Sequence, residues 1–375
     1  MTLARRWRDD EQGMSILYIT TGFLAFFVAT TLAIDVGMLT TARSQSQNAA
    51  DAGALAGAIA LAMDSFDDRS SSGPAVQSAV NVALENVVVG GQVAVESSDV
   101  TFPAAPGGEA NRVRVAVYRT AARSNPLATF ISTVFGVGTA DVMAAATAEA
   151  APANAMTCVR PFTIPDRWQE NNVPPNGTFD RYDKKGQVIP NADVYDPGLN
   201  SYDPDADKGT QIVIRAGTGN NIEPTFYYSR SMPGGTGGSW YEHNISQCNQ
   251  AVFSPGSSMT QEPGNMVGPT VHGIEDLIAQ DPTAYWDDDD GRVVSPLGRS
   301  PRVFPIPLYD PDAYQQGTTN GRNATLVMVG WIGFFVESAN GNQVYGRITP
   351  ILGSIDENAG PAPEGTFPRA VRLIE

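Results

Sequence analysis

Histidine, cysteine and positive charge are all scarce in this chain of 375 residues, and each scarcity removes a class of function. The two histidines, His243 and His272, are too few and too far apart for a His-rich metal centre. Lys and Arg number 24 against 40 Asp and Glu, a net charge of -16. Such an excess argues against nucleic-acid backbones and anionic membrane surfaces as partners. No GxSxG, HExxH, Walker A or Rossmann glycine pattern occurs, so neither a catalytic residue nor a nucleotide cofactor is expected. Carboxylates are abundant, but nothing selects a glycosidase-type pair among them. Proline is absent between Met1 and Met63, so nothing there interrupts a helix.

What that front segment does contain is an uncharged apolar run of 21 residues, Met14 to Ile34. At about 1.5 Å per residue it spans about 31 Å as a helix, the thickness of a bilayer's hydrocarbon core. A secretory signal peptide has a shorter apolar core, about 7–15 residues, and a small-residue cleavage site. A buried soluble helix rarely runs this far without charge. The run therefore predicts a single membrane span that continues, without a breaker, into the Ala/Gly-rich segment Gln47 to Ala58. Arg5, Arg6 and Arg8 precede the span, which predicts a cytoplasmic N-terminus. Everything after about Asp35 is then exported. Asp35 itself is expected at the outer interface, with its carboxylate in water.

Small residues recur along the helix every four positions: Ala25, Ala29, Ala33 and Gly37, then Ala49, Gly53 and Gly57. Such spacing lets another helix approach closely. Two readings stand side by side: the exported half packs on its own domain, or the seam joins partner subunits. Cys158 and Cys248 are the only cysteines, both in the exported part. In an oxidising compartment an even pair predicts a disulfide, the alternative being two unrelated buried thiols.

The length allows two domains besides an anchor. After Ala151 the composition shifts to Gly- and Pro-rich turns, among them PPNG, YDPG, YDPDADKG, MPGGTGGS and NGRN. The expected fold is α+β, in four parts. Residues 1–13 form a cytoplasmic leader, 14–64 the transmembrane and Ala-rich extended helix, 65–151 a small pilin-like α+β domain, and 152–375 a β-rich exported domain. In the third part a short amphipathic helix is expected at Ala75 to Asn86 and another at Pro126 to Phe135. Strands are expected at Val87 to Val89, Gln92 to Glu96, Val113 to Tyr118 and Asp141 to Ala148. In the fourth, strands are expected in QIVIRA, PTFYYSR, RVFPIPLYD and QVYGRITPIL, with His272 to Ala279 the one helix. Ala324 to Val336 reads as a buried strand, or two strands hinged near Gly330 to Gly333.

The polar leader ending DEQG, the span, AIDVG and then R-x-x-x-QNAADAGALAGA resemble the TadE/TadG-like proteins of bacterial Flp (tight adherence) pilus assembly. The residues that carry the resemblance are Gly13, Asp35, Gly37, Arg43 and the run Gln47 to Ala58. Gly264 to Trp286 resembles a C-terminal module of some relatives. The resemblance implies an inner-membrane protein of the pilus machinery or a minor, pilin-like subunit, and no catalytic residues. It also makes Gly13 and Met14 a candidate leader-processing site. Type IV pilins carry Glu at the fifth mature position, where Tyr18 stands here, so a membrane-retained role fits better than a major pilin.

Some relatives carry a metal motif DxSxS; Asp68, Ser70 and Ser72 repeat its letters, but in a linker without the preceding strand the motif needs. Asp203, Asp205 and Asp207 alternate before Gly209. Such a loop is either a solvated acidic surface or a Ca²⁺ loop, and Ca²⁺ is the one cofactor candidate. An EF-hand would place Gly at Lys208 and Glu at Ile214, so it is not one. WDDDDG, Trp286 to Gly291, is a second acidic loop with the same two readings. The stretch GGTGGSWY reads as a flexible loop. Two functions follow. One is a membrane-anchored structural or assembly component whose partners are pilus subunits. The other is a surface adhesin or ligand-binding module in residues 152–375, using Trp168, Trp240 and Tyr241 as contact residues.

Overall fold

In the computed structural model, residues 3–129, 133, 136–199, 201–203, 205–216, 221–224, 226–262, 264, 266–319, 326–362 and 367–374 are described, with side chains from Met14 onward. The chain is α+β and folds into two compact units. One comprises Met1–Ala58, Arg69–Ala148 and Leu373–Glu375, the other Ile59–Asp68 and Glu149–Arg372. The units interleave along the chain, unlike a serial order of domains. Segment 59–68 belongs to the second unit for local reasons: the Lys208 ammonium donates to the Asp64 carbonyl at 2.7 Å, and the Arg369 guanidinium lies 3.5 Å from the centre of the Phe66 ring.

The first unit is organised by α1 (Leu3–Met63), one unbroken helix as the absence of proline predicts. Helix α2 (Pro74–Leu84) starts with Pro at its first turn, where the missing N–H costs nothing. It buries Ala75, Val76, Ala79 and Ala83 along one face. A hairpin of β1 (Val87–Val88) and β2 (Gly91–Gln92) follows. Then come β3 (Val100–Thr101), β4 (Arg112–Arg119), β5 (Leu127–Ala128), β6 (Thr139–Ala140) and β7 (Val142–Pro152). The alternation of RVRVAVYR is realised in β4, which buries Val113, Val115 and Val117. The helix expected at Pro126 to Phe135 begins instead as strand β5, and most of the rest of that stretch lies outside the described residues.

The second unit is β-rich, with β8 (Phe162–Pro165), β9 (Gln211–Ala216), β10 (Phe226–Ser229), α3 (Gly238–Ser246), β11 (Ser258–Met259) and α4 (Val267–Gln280). It continues with β12 (Tyr285–Asp287), β13 (Arg292–Val294), β14 (Val303–Tyr309), α5 (Pro311–Thr319), β15 (Leu326–Asn340), β16 (Gln343–Ile348) and β17 (Arg369–Leu373). Six strands, β15-β14-β8-β10-β9-β16, close into a barrel through the β15–β16 pairing, and β11 adds to the outer side of β15. Closure leaves the ring without an open edge. Alternate residues build one core cluster: Phe162 and Ile164, Phe304, Ile306 and Leu308, then Ile332, Phe334 and Val336. Tyr241, Ile245, Ile274 and Leu277 of α3 and α4 join it. Alternation puts Tyr309 on the other face, in the second cluster with Trp331, and the register shift opposite Leu308 and Tyr309 brings Met328 to that same side.

Of the two readings of Ala324 to Val336, the single buried strand holds in β15, and its glycine serves close approach: a side chain on Gly333 would strike the Thr349 carbonyl and Ile351. Two expectations change here. GGTGGSWY is a helix start, not a flexible loop. Its Gly237 N–H donates to the Glu262 carboxylate at 2.7 Å as α3 begins, an anion placed at a helix N-terminus. Helices α3 and α5 also correct the expectation of one helix in this part; for α5 the signal is Asp310-Pro311, a cap followed by Pro at the first turn. The Asp310 carboxylate accepts from Ala313 N–H at 2.9 Å.

Candidate membrane anchor and assembly helix

The face that α1 presents changes along its length. From Met14 to Val36, thirteen large apolar side chains are exposed, with Tyr18, Phe23 and Phe26 each at 70%. At about 1.5 kcal/mol each, covering them is worth about 20 kcal/mol, more than the roughly 5–15 kcal/mol that holds a typical domain together. Water is therefore the wrong solvent for this segment, and α1 is long and apolar enough to cross a bilayer. Its polar groups are already satisfied for that setting. The hydroxyls of Thr20, Thr21, Thr30 and Thr31 each donate to the carbonyl four residues back, those of Thr21 and Thr30 at 2.8 and 2.9 Å.

Further on, a buried stripe forms on one side: Thr31, Asp35, Ala42, Ser46, Ala49 and Ala50, then Gly53, Ala54, Gly57 and Ala58. Asp35 corrects the expectation of a water-facing carboxylate. It is 3% exposed, because it lies on the stripe four residues after Thr31 and not on the lipid-facing side. Gly53 and Gly57 meet the first unit's own elements. A Cβ on Gly53 would lie 3.0 Å from the Ala79 carbonyl oxygen and 3.1 Å from Ala83 Cβ. On Gly57 it would lie 2.8 Å from Val113 and 3.1 Å from the Ala75 carbonyl oxygen. Of the two readings of the seam, the structure places these two glycines in the intramolecular one. Ala25, Ala29 and Ala33 are exposed, and among the described residues Gly37 has nothing within 4 Å.

The signature residues have local work. Gln47 donates to Asp51 at 2.8 Å, one helical turn on, and to the Ala145 carbonyl of β7 at 3.3 Å. Gln45 accepts from Val89 N–H at 2.8 Å, holding the β1–β2 turn where Val89 has φ 46. Gly13 and Met14 lie inside the helix.

In the second unit Cys158 and Cys248 form a disulfide, with Cα atoms 4.5 Å apart, linking the residues before β8 to those after α3. The acidic loop is held by its own backbone. Asp203 accepts from the amides of Asp205 and Ala206 at 2.9 and 2.7 Å. Asp207 is clamped by Arg167 at 2.7 and 2.8 Å, whose guanidinium stacks 4.4 Å from the Tyr202 ring centre. Among the described residues no group of three or more His, Cys, Asp or Glu gathers as a metal would need. WDDDDG is the β12–β13 turn, with Asp288 paired to Arg347 at 3.0 Å and Asp290 to Arg292 at 2.8 Å. The aromatics are packed rather than displayed. Tyr241 is buried, Trp240 stacks on His243 at 5.3 Å, and Trp168 meets Phe179 edge-on at 5.7 Å.

Two features escaped sequence reasoning. Asp166 is buried, and burial pushes its carboxyl up to about 6 despite hydrogen bonds from Tyr195, Ser201 and the Arg167 amide. A cavity of about 470 Å³ lies beside the disulfide, lined by Arg160 and Arg299 among largely apolar neighbours. Arg160 stands only two residues after Cys158, a clue that its chain position offers but composition does not.

The family model for putative Flp pilus-assembly TadE/G-like proteins matches residues 14–61. Comparison with curated proteins and with solved structures gives no match. The matched residues are those of α1 whose exposed and buried faces are described above, and over this segment the chain is similar to the TadE/G-like proteins.

Proposed function

We propose that this protein is a membrane-retained, pilin-like component of a bacterial tight-adherence (Flp/Tad) pilus system, acting in assembly or as a minor subunit. The observation that carries the reading is the division of α1 within the matched segment: a lipid-suited half followed by a half that nucleates the chain's own α+β unit. Arg5, Arg6 and Arg8 orient the N-terminus to the cytoplasm of the inner membrane. The residues after the span then lie in the periplasm, where the disulfide is stable. Tyr18, where pilins have Glu, favours retention over polymerisation. The exposed Ala25, Ala29, Ala33 and Gly37 face is where partner helices of the pilus machinery would dock.

The test is mass spectrometry of the N-terminus of the protein purified from native envelopes. A chain that keeps residues Arg5 to Gly13 is expected. A mature chain starting at Met14 would overturn retention and make the protein an extracted pilus subunit.

A ligand-binding or adhesin role for residues 152–375 is the second reading, favoured by the cavity beside the disulfide. Deleting that region separates the two. Loss of pili supports assembly, whereas intact pili with failed attachment support the adhesin.

A further inference from the structure

The second unit contains cationic groups without carboxylate partners in a chain where carboxylates are in excess. Arg167, Arg181, Arg215, Arg292, Arg347 and Arg372 each pair with an Asp or Glu. Buried Arg302 has none within ion-pair distance among the described residues, but its guanidinium donates to the carbonyls of Asp281, Ala284, Val336 and Glu337. Its hydrogen-bonding capacity is therefore met by backbone. Arg160 differs. It is 4% exposed, and its Nη1 donates to the carbonyls of Asn244 (3.3 Å) and Gln247 at the end of α3. Its Nε has no hydrogen-bond partner among the described residues. Burial pulls this guanidinium down to about 10, so it remains charged at neutral pH. An unmatched buried donor on a cation is costly.

Arg160 lines the cavity of about 470 Å³, within the range of small-molecule sites. The exposed Arg299 lines it too, and Arg299 makes no ion pair among the described residues. Among the described residues no Asp or Glu contributes to the lining. The rest of the wall is largely apolar, Phe304 and Ile351 included, and the hydroxyl residues Thr157, Ser300 and Ser354 add neutral polar groups. The Phe304 ring centre lies 5.2 Å from the Arg160 guanidinium. The disulfide closes one side, and Cys248 immediately follows Gln247, whose carbonyl holds Arg160.

The geometry points to a binding site for a small organic acid, a single carboxylate on an apolar body, received by Arg160 and Arg299 and packed against Phe304 and Ile351. A planar guanidinium matches a carboxylate's two oxygens. Apolar walls favour a ligand whose remainder is not strongly hydrated, which separates this ligand class from inorganic phosphate. The site is independent of whether the protein assembles or decorates a pilus.

The experiment is ligand-observed NMR on the detergent-solubilised full chain, using 3-phenylpropionate and octanoate, each beside its neutral amide, and inorganic phosphate. Saturable binding of the acids with Kd below about 10 mM is expected, with the amides at least about tenfold weaker. Arg299→Gln, an exposed change that leaves the core intact, should weaken the acids about tenfold. Arg160→Gln should abolish binding, and the barrel's amide-exchange protection reports whether that variant stays folded. Amides that bind as well as acids, an unchanged affinity in Arg299→Gln, no saturable acid binding, or phosphate that binds more tightly than either acid would each overturn the assignment.

Discussion

From Met14 to Val36 helix α1 turns Phe, Leu and Ile outward, whereas from Ala42 to Ala58 it buries Ala and Gly within the first unit. Both halves carry small residues four apart, and the spacing alone does not say what they meet. The difference lies in the residues between. Large apolar side chains around Ala25, Ala29 and Ala33 make a surface that only lipid or another helix can cover. Around Gly53 and Gly57 the other residues of the buried stripe, Ala49, Ala50, Ala54 and Ala58, are small, so on that side the helix is slim enough for α2 and β4 to close against it. A single repeat thus serves two solvents, bilayer and protein interior.

The largest expected effect breaks the second half. Gly53→Leu with Gly57→Leu drives two side chains at the carbonyls of Ala79 and Ala75 and at Val113. Backbone cannot yield as a flexible side chain can. The pair should cost more than about 4 kcal/mol and unfold the first unit. Hydrogen exchange read by mass spectrometry on the full chain in detergent should show α2 and β4 losing protection while β14 and β15 keep theirs. Retained protection in α2 would mean the glycines are not packed as described. Ala25→Leu with Ala29→Leu, the same change in the first half, should leave the exchange pattern untouched.

The next effect sharpens the comparison by giving the second unit a signal of its own. Asp166 has its carboxyl pushed up to about 6 by burial, from an ordinary 3.8. Between those values the folded chain holds a proton that the unfolded chain has released, so stability falls as pH rises from about 4 to 7, by about 2–3 kcal/mol. Asp166→Asn should remove most of that slope. Chemical denaturation at pH 4.5 and pH 7.5, followed through barrel exchange, would check it. An equal slope in both proteins would assign the dependence to another group, with Asp310 the first candidate because burial raises it too.

Much of the fold was legible in the residues. QIVIRA is β9 from end to end, and RVFPIPLYD contains β14, because short apolar runs between turns have few other uses in a closed barrel. The anchor was legible because length and lack of charge are properties of the chain itself. Closure of the barrel was not, since β8 pairs in parallel with β14 across more than a hundred residues, and no local pattern encodes such a partner. Helix α3 was hidden by its glycine-rich entrance, though Trp240 and Tyr241 are what fix it. The candidate sites divide in the same way. Two cysteines suffice to suggest a bond, whereas the burial of Asp35, Arg160 and Asp166 depends on which side of an element each residue takes. Alternating aspartates suggested a cation loop; the neighbours that occupy Asp207 come from Arg167, forty residues earlier.

The smallest predicted effect gives the sharpest comparison of the two halves, because it uses one substitution in both. Gly→Ala gains about 1 kcal/mol of helix propensity wherever the new methyl has room. At Gly37 nothing among the described residues lies within 4 Å, so Gly37→Ala should leave the fold as stable or stabilise it by up to about 1 kcal/mol. At Gly57 the methyl would lie 2.8 Å from Val113 and 3.1 Å from a backbone carbonyl. There the clash should outweigh the propensity, for a net loss of about 1 kcal/mol. Differential denaturation of the two variants measures the sign as well as the size. Opposite signs are what an exposed lipid-side glycine and a packed one require; a loss at both would mean that Gly37 is covered within the chain. Should Gly37→Ala keep its stability and still fail to support piliation, the exposed face of α1 would be doing its packing with a partner helix, where a single methyl is enough to hold two backbones apart.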